Sequence, residues 1–442
     1  MKRFSPIILA LLAATFIARF SMLMVMPFLS IYLINTYHYS GFQIGIILSV
    51  AGIVAILLSM TSGSVIDRFN KRHVIYFGLL IGILSYLSFP MIHSFPGFIL
   101  FSITSTIGNT LVEPTYRVLI TQFTADEHKK LIFNIRYYLI NVAAAMGPYI
   151  SSQIQWVGIE KLFYIVVTAL LINLVMFIVI FNKYDIDLKN KQSMTHIPFF
   201  NMMFIFKQDK AFLYLILGNI FIVFGYTQMM TSLSIYLSKI YPYATAIHHY
   251  AILTLVNAIA VICLQIVVYK IGQHIKTSTS IIIGAILLPL GLMLVGISPD
   301  LFNLCIAMFI LTIGEIFVFT MWDLRIDELS PQSMKGSYYA LTGLTGISRI
   351  IAPLAGGLLI DNLSNGFLIW TILGGVTYLS VFFFIKSAKI TPVKLQFTGV
   401  IKFTTINIIL YYFTYDAEIF ITVWNKHLLR NFKFFIIFEC LS

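Results

Sequence analysis

Long apolar runs, most of them 20 residues or longer, follow one another along the first 390 positions of the chain, and short polar gaps separate them. A helix of about 20 residues crosses the ~30 Å hydrocarbon core of a bilayer. We therefore predict an all-α membrane protein with about 12 transmembrane helices. The predicted spans are 6–34, 42–64, 74–94, 97–122, 131–155, 158–181, 210–238, 246–270, 278–297, 300–324, 337–360 and 366–386.

Composition supports lipid as the solvent, because 59% of the residues are hydrophobic and 10% are charged, against about 25% charged in a soluble domain. The first run is longer than the apolar region of a signal peptide and leads directly into further spans, so we predict that it is retained as span 1. The sequence has no phosphate-binding loop, no H-E-x-x-H motif and no nucleophile elbow. We expect neither an enzyme nor a cofactor or metal, and the proton gradient is the expected energy source.

The chain has 29 Lys and Arg against 17 Asp and Glu, and the basic residues lie mainly in alternate gaps. The gaps on the side of the N-terminus hold most of them, including Arg68, Lys71 and Lys276, whereas the opposite gaps hold only Lys161 and Lys239. Basic residues favour cytoplasmic loops. We predict a multi-pass protein of the cell (plasma) membrane with a cytoplasmic N-terminus, and no nucleic-acid partner.

An internal repeat divides the chain. The sequence Leu-Ser-Ile-Tyr-Leu occurs at 29–33 and again 204 positions later at 233–237, and Gly147-Pro148 corresponds to Ala352-Pro353. We predict two pseudo-symmetric six-helix bundles at 1–182 and 210–389, a cytoplasmic linker at 183–209 and an atypical extension at 390–442. Repeated halves are typical of secondary transporters, whose substrate site lies between them. The extension is interpreted as poorly ordered or surface-lying, with a further span as the alternative.

A loop between spans 2 and 3 suggests a family. The sequence Gly-Ser-Val-Ile-Asp-Arg-Phe-Asn-Lys-Arg at 63–72 resembles the G-x-x-x-D-R-x-G-R-R signature of the major facilitator superfamily. Asn70 replaces the second glycine, and we expect it to tolerate a left-handed turn. Together with the repeated halves, this resemblance implies the major facilitator fold over residues 1 to about 390.

The resemblance also implies a gating loop made of Gly63, Asp67, Arg68, Lys71 and Arg72. Its acid would cap the start of span 11 near Gly336-Ser337, and its arginines would face Asp126 or Glu127, so that the halves are latched when the protein faces outward. An acid at a helix N-terminus is favoured by the helix dipole. The alternative is that Lys71 and Arg72 only orient the chain in the membrane.

Span 5 points to the direction of transport. The sequence Ala-Ala-Ala-Met-Gly-Pro-Tyr-Ile-Ser at 143–151 resembles the G-x-x-x-G-P-x-x-G motif of the drug:proton antiporter (multidrug efflux) branch. The implied helix-bend positions are Gly147, Pro148, Pro353 and Gly356. Ordinary close packing of small residues is the alternative explanation. The Arg that this branch usually carries early in span 4 has no counterpart between Ser102 and Thr106.

Ionisable residues inside the predicted spans are candidates for coupling, because they are costly in lipid and normally face a partner or a cavity. They are Arg19, Glu113, Arg117, Glu315 and Asp323. Glu113 can pair either with Arg19 across the helices or with Arg117 one turn away on its own helix. We hypothesise that Glu113 or Glu315 exchanges a proton for substrate.

Further cavity residues are expected on spans 7 and 10, namely Tyr226, Gln228, Thr231 and Trp322. Trp322 beside Asp323 suits a lipophilic cation by cation–π contact and charge. Because both lie near the cytoplasmic end of span 10, an interfacial anchor is the alternative.

The sequence therefore predicts a secondary active transporter that exports small lipophilic or drug-like compounds by alternating access, coupled to protons. A major facilitator importer for a sugar, peptide or metabolite is the alternative, because one fold supports both directions. A membrane enzyme or scaffold is a third. The expected partners are a small-molecule substrate, the proton and the lipid bilayer, and the expected state is a monomer.

Overall fold

A computed structural model describes residues 5–154, 157–183, 209–297, 300–331 and 335–390. Residues 184–208 of the predicted linker (183–209) and residues 391–442 of the predicted extension (390–442) lie outside this part, as do the side chains of residues 60–68. Every regular element within the described ranges is a helix.

Each predicted span corresponds to one helix or to two helices in succession. In the first half, span 1 is Pro6–Val25 and Leu29–Tyr37, span 2 is Gly41–Arg68, span 3 is Lys71–Ser88, span 4 is Phe95–Phe123, span 5 is Asp126–Gln153 and span 6 is Ile159–Lys183. In the second half, span 7 is Lys210–Met230 and Ser232–Ile240, span 8 is Tyr243–His274, span 9 is Thr277–Val295, span 10 is Leu301–Leu329, span 11 is Lys335–Leu341 and Ser348–Asn362, and span 12 is Gly366–Lys389.

Eleven of these spans are long and apolar enough to cross a membrane. Span 5 is the remaining helix, and at 28 residues it is also long enough. It is less apolar because it begins with five polar or charged residues, 126–130, and carries Arg136 in its first half. The all-α architecture predicted from the sequence is confirmed.

Spans 1 and 7 break at equivalent places. A short 3-10 turn at Met26–Phe28 interrupts span 1, where Pro27 supplies no N–H for a helical bond. Span 7 breaks at Thr231, which is 204 positions after Pro27. The segments beyond the breaks, Leu29–Tyr37 and Ser232–Ile240, each have 9 residues and carry the repeated pentapeptide. The repeat seen in the sequence is thus also a repeat of backbone geometry.

The helix packing follows the same repeat. Span 1 packs on spans 5 and 6, span 3 on spans 4 and 6, and span 2 on span 4. In the second half, span 7 packs on spans 11 and 12, span 9 on spans 10 and 12, and span 8 on span 10. The halves meet where span 2 packs on span 11 and span 5 on span 8. The domain boundaries themselves stay predictions.

Glycines allow the close contact between spans 2 and 11. A Cβ on Gly45 would lie 2.6 Å from the carbonyl oxygen of Pro353, and one on Gly52 would lie 2.9 Å from that of Arg349. Because backbone atoms cannot move aside as a flexible side chain can, larger residues at these positions would force the two halves apart.

Candidate functional site

Glu113, near the middle of span 4, is surrounded by arginines from three helices. Its Oε1 atom lies 3.5 Å from Nη2 of Arg19 on span 1 and 3.4 Å from Nη2 of Arg117 one turn along span 4. Arg136 on span 5 donates a hydrogen bond to the same oxygen. The two pairings that the sequence left as alternatives therefore both occur, and a third arginine joins them.

Arg136 is the best shielded member of this cluster, with 8% of its side chain exposed against 33% for Arg19 and 59% for Arg117. Sequence reasoning missed it. The signal was present, because an arginine near the start of the predicted span 131–155 is as costly in lipid as those on spans 1 and 4. Arg136 ties span 5 to span 4 through Glu113, which makes the carboxylate a structural centre of the first half.

A cavity of about 570 Å³ lies beside this cluster, and we call it the arginine cavity. Spans 1 and 4 supply Arg19, Asn109, Glu113 and Arg117 to its wall, and spans 2, 3 and 6 supply mainly small and apolar residues. Arg349 of span 11 completes the lining, so both halves contribute. Arg349 was also not identified as a candidate from the sequence, although it lies in the predicted span 337–360.

Glu315 in span 10 has a different environment. The side-chain amide of Asn257 on span 8 donates a 2.8 Å hydrogen bond to its Oε2 atom and a second bond of 2.9 Å to the hydroxyl oxygen of Thr312. That hydroxyl in turn donates to the carbonyl oxygen of Met308. Within the described residues, none of the ion pairs includes Glu315. Glu315 is therefore a membrane-embedded carboxyl group held by neutral partners.

Trp322 and Asp323 lie apart from both sites. Trp322 is half-buried against the main apolar core. The side chain of Asp323 is exposed, and its backbone carbonyl oxygen accepts a 3.2 Å hydrogen bond from the hydroxyl of Tyr339. Neither residue lines the arginine cavity.

The polar residues predicted on span 7 mainly hold helices together. The amide nitrogen of Gln228 donates to the carbonyl oxygen of Ala352 on span 11 at 3.1 Å, and its Oε1 atom accepts from Ser232. Thr231 lies at the break in span 7 and donates to the carbonyl oxygen of Thr227 at 2.9 Å. Tyr226 packs edge-on against Phe319, with ring centroids 5.4 Å apart. None of these residues lines the arginine cavity.

The predicted helix-bend residues occupy tight contacts. A Cβ on Gly147 would lie 3.0 Å from the carbonyl oxygen of Phe20, which brings span 5 close to span 1. A Cβ on Gly356 would collide with Ser232 and Gln228 of span 7. Pro148 and Pro353 lie inside helices and are buried. These contacts are close helix packing, which is compatible with either direction of transport.

At the predicted cytoplasmic face, the side chains of Asp67 and Arg68 lie outside the described residues, so the latch stays a prediction. Arg72 donates a 2.6 Å hydrogen bond to the side chain of Asn182 at the end of span 6. Lys71 is fully buried. Asn70 has a φ of −63°, so this position does not need the left-handed conformation that Asn can tolerate, and its side chain caps span 3 by accepting from the N–H of Arg72.

At the opposite face, a contact joins the two halves that the sequence did not predict. The carboxylate of Asp361, near the end of span 11, accepts from the backbone N–H of Gly41 and of Phe42 at the start of span 2, at 2.9 and 2.7 Å. Lys239 of span 7 lies 3.2 Å from Asp361 and donates to the carbonyl oxygen of Ile360. We call this group the Asp361 clamp.

The fold agrees with comparisons to known proteins. The family model described as "Major Facilitator Superfamily" matches residues 11–347. The chain belongs to this superfamily, whose members are membrane transporters and not enzymes. It is similar in structure to the nucleoside transporter NupG, with a TM-score of 0.74 over 88% of this chain and 100% of that one, at 15% sequence identity. That likeness concerns the fold alone.

Relatives in sequence are distant. The uncharacterized MFS-type transporter YqjV of Bacillus subtilis is 22% identical over 86% of this chain and 93% of its own length. The Na(+), Li(+), K(+)/H(+) antiporter of Planococcus maritimus is 21% identical, covering 78% of this chain and 87% of that protein. Multidrug resistance protein MdtH of Aeromonas salmonicida is 24% identical, covering 80% and 89% respectively.

Proposed function

We propose that this transporter exports small, drug-like compounds in exchange for protons. The observation that carries the proposal is Glu315, a carboxyl group in the middle of span 10 whose described hydrogen-bond partner is the neutral amide of Asn257. A carboxylate in the membrane interior needs a cation, a wet cavity or a proton to offset the cost of its charge. Because no described cation pairs with Glu315, a proton is the species that can neutralise it.

The two membrane carboxyl groups then have separate roles. Glu113 accepts from Arg136 and lies within 3.5 Å of Arg19 and Arg117, so its charge is matched in place by cations. Removing the charge of Glu113 would leave the arginines unbalanced, whereas protonation of Glu315 removes an unmatched charge. We therefore assign proton exchange to Glu315 and a structural role to Glu113.

Alternating access requires a closure that can open, and the Asp361 clamp is a candidate. It joins spans 2 and 11, one from each half, through hydrogen bonds to backbone N–H groups at a helix start. The outer segments of spans 1 and 7 also contact each other at this face. Charge-assisted bonds of this kind are strong enough to hold a closed face and few enough to be released.

Export is supported by two observations of different kinds. The Gly147-Pro148 pair resembles the drug-efflux motif, and among the relatives are a multidrug resistance protein and a cation/proton antiporter. The alternative is import of a nutrient, since the fold does not determine direction.

The test is a drug-susceptibility panel on cells that lack or overproduce the protein, with and without a protonophore. We expect overproduction to raise resistance to at least one compound, and the protonophore and Glu315→Gln to abolish the increase. Glu328→Gln is the matched control, because Glu328 lies on the same span, pairs with Arg325 and is 45% exposed. Two results would contradict the proposal. One is that cells overproducing Glu315→Gln are as resistant as cells overproducing the wild type, and the other is that a growth defect on one nutrient is the only phenotype of the deletion.

A further inference from the structure

We infer that the arginine cavity binds the anionic group, a carboxylate or phosphate, of a small organic molecule. The inference rests on the proposed transport function and names the class of substrate. Four observations carry it: the charge count, the donor supply, the position of Arg349 and the size of the cavity.

The charge count around the cavity is unbalanced. Arg19, Arg117 and Arg349 line the cavity, Arg136 bonds to Glu113, and Glu113 is the only acidic residue among the described lining residues. Four guanidinium groups thus face one carboxylate in the middle of the membrane. Uncompensated charge in this region is costly and normally marks a pathway for a substrate or an ion. An anion from outside the protein would restore the balance.

Most N–H donors of the arginines around Glu113 have no hydrogen-bond partner among the described residues. Arg19, Arg117 and Arg136 all approach the same Oε1 atom of Glu113, although each guanidinium has five N–H donors in a planar fork. Arg136 makes the shortest bond to Glu113 and is 8% exposed. Arg117 also donates to that oxygen, at 3.4 Å, and Arg19 lies 3.5 Å from it, yet these two remain 59% and 33% exposed. The guanidinium groups of Arg19 and Arg117 can therefore donate to a further carboxylate or phosphate, the groups that guanidinium binds in bidentate fashion.

Arg349 links the cavity to the second half. It enters the lining from span 11, whereas the other described lining residues belong to spans 1–6. Within the described part of the chain, Arg349 takes part in none of the ion pairs. An anion held between Arg349 and Arg117 would therefore contact both halves, which is the position of substrate sites in transporters built from repeats.

The cavity suits an organic anion with an apolar body. Its volume of about 570 Å³ lies within the range of roughly 300–1,000 Å³ that is usual for small-molecule sites. Apolar walls come from Ala18, Met22, Leu79 and Leu170, and Asn109 adds a polar position. A lipophilic cation, which the sequence suggested through Trp322 and Asp323, would be repelled by the arginines and would find neither of those residues in this cavity.

Binding to purified protein tests the inference. The probes are benzoate and phenyl phosphate, with benzamide as the uncharged counterpart and benzylamine as the cation, each titrated to about 10 mM while thermal unfolding is followed in a neutral detergent. We expect one or both anions to raise the unfolding temperature in a saturable manner. Benzamide and benzylamine should have no saturable effect.

Variants locate the site. Arg349→Gln and Arg117→Gln should each weaken anion binding about tenfold, as expected for loss of one charge-assisted contact. Arg349→Lys, which keeps the charge, should weaken it less. Arg325→Gln is the matched control, because Arg325 pairs with Glu328 outside the cavity, and it should bind as the wild type does. Because two positions are substituted, the test can still be made if one of the variants fails to fold.

The outcomes separate this inference from the proposed function, because binding needs no gradient. Lack of any saturable anion effect, equal effects of benzoate and benzamide, or equal weakening by Arg325→Gln would overturn the anion site. Saturable binding of benzylamine alone would favour a cationic substrate and also overturn it. Anion binding without any proton movement would instead contradict the proposed function and leave the anion site in place.

Discussion

The carboxylate of Asp361 accepts a 2.9 Å hydrogen bond from the backbone N–H of Gly41, so that the end of span 11 caps the start of span 2. Gly357 and Asp361 have the same G-x-x-x-D spacing as Gly63 and Asp67, which lie at the other end of span 2. The latch predicted at the cytoplasmic face would make span 2 cap span 11. The Asp361 clamp has the arrangement predicted for that latch, with the roles of the helices exchanged, and lies at the opposite face, which is the predicted outer face.

Asp361→Asn should weaken closure of the predicted outer face. The amide keeps an acceptor but loses the charge that favours a helix N-terminus, an effect of about 0.3–1 kcal/mol, and it also loses the ion pair with Lys239. We expect the population open at this face to rise about two- to fivefold. The distance between spin labels at the exposed positions Thr36 and Ser364, placed in a variant without the three cysteines, should lengthen as the open population rises.

Asp300→Asn is the control for that measurement. Asp300 lies at the same face and caps span 10 through the N–H groups of Phe302 and Asn303, at 3.1 Å each, and both of these bonds lie within the second half. The distance between the labels should be unchanged in this variant. Equal shifts in both variants would show that the Asp361 clamp has no special part in closure.

Gly357→Ala should separate spans 2 and 11 at the outer face. A Cβ at Gly357 would collide with the backbone of Gly41, and neither backbone can move aside as a side chain can. We expect a loss of thermal stability of about 1–3 kcal/mol, typical of overpacking, together with the same lengthening of the label distance.

Gly375→Ala provides the comparison, because no atom lies within 4 Å of a Cβ built there. Replacing Gly by Ala inside a helix without steric conflict adds roughly 0.5–1 kcal/mol of stability. The two alanine variants should therefore differ in sign when their unfolding temperatures are measured. A stabilised Gly357→Ala would mean that the contact with Gly41 is looser than the structure shows.

Glu113→Gln and Glu315→Gln should affect stability very differently. Loss of the Glu113 charge leaves Arg136 without its partner, and breaking such a buried pair costs roughly 3–5 kcal/mol. Glutamine at 315 can still accept from Asn257, so that change should cost less than about 1 kcal/mol. Thermal unfolding of both purified variants would show this contrast, and equal losses would argue against the separate roles given to the two acids.

The helices, and Glu113 with Arg19 and Arg117, could be predicted from the sequence for a clear physical reason. Apolar runs must be long enough to span lipid, and an ionisable residue such as Glu113 stands out within them. Arg136 and Arg349 were not identified from the sequence, although each is an ionisable residue inside a predicted span. Asking which charges remain unpaired in every span would have identified both.

Other features could not be read from one sequence. The Asp361 clamp depends on where span 11 ends relative to the start of span 2, and those residues are 320 positions apart in the chain. Gln228 is a polar residue in a span, which suggested a cavity position, yet its hydrogen bond to the Ala352 carbonyl makes it a link between spans 7 and 11. Only three-dimensional packing distinguishes a polar residue that lines a cavity from one that joins two helices.

Proton flux across vesicle membranes shows whether Glu315 exchanges the coupling proton. Inside-out vesicles with an acidified lumen and a pH-sensitive acridine dye would receive a compound to which the protein confers resistance. We predict that the compound releases lumenal protons in wild-type and Glu328→Gln vesicles, and that Glu315→Gln vesicles, with equal protein content, release none. Undiminished proton release by Glu315→Gln would contradict the account.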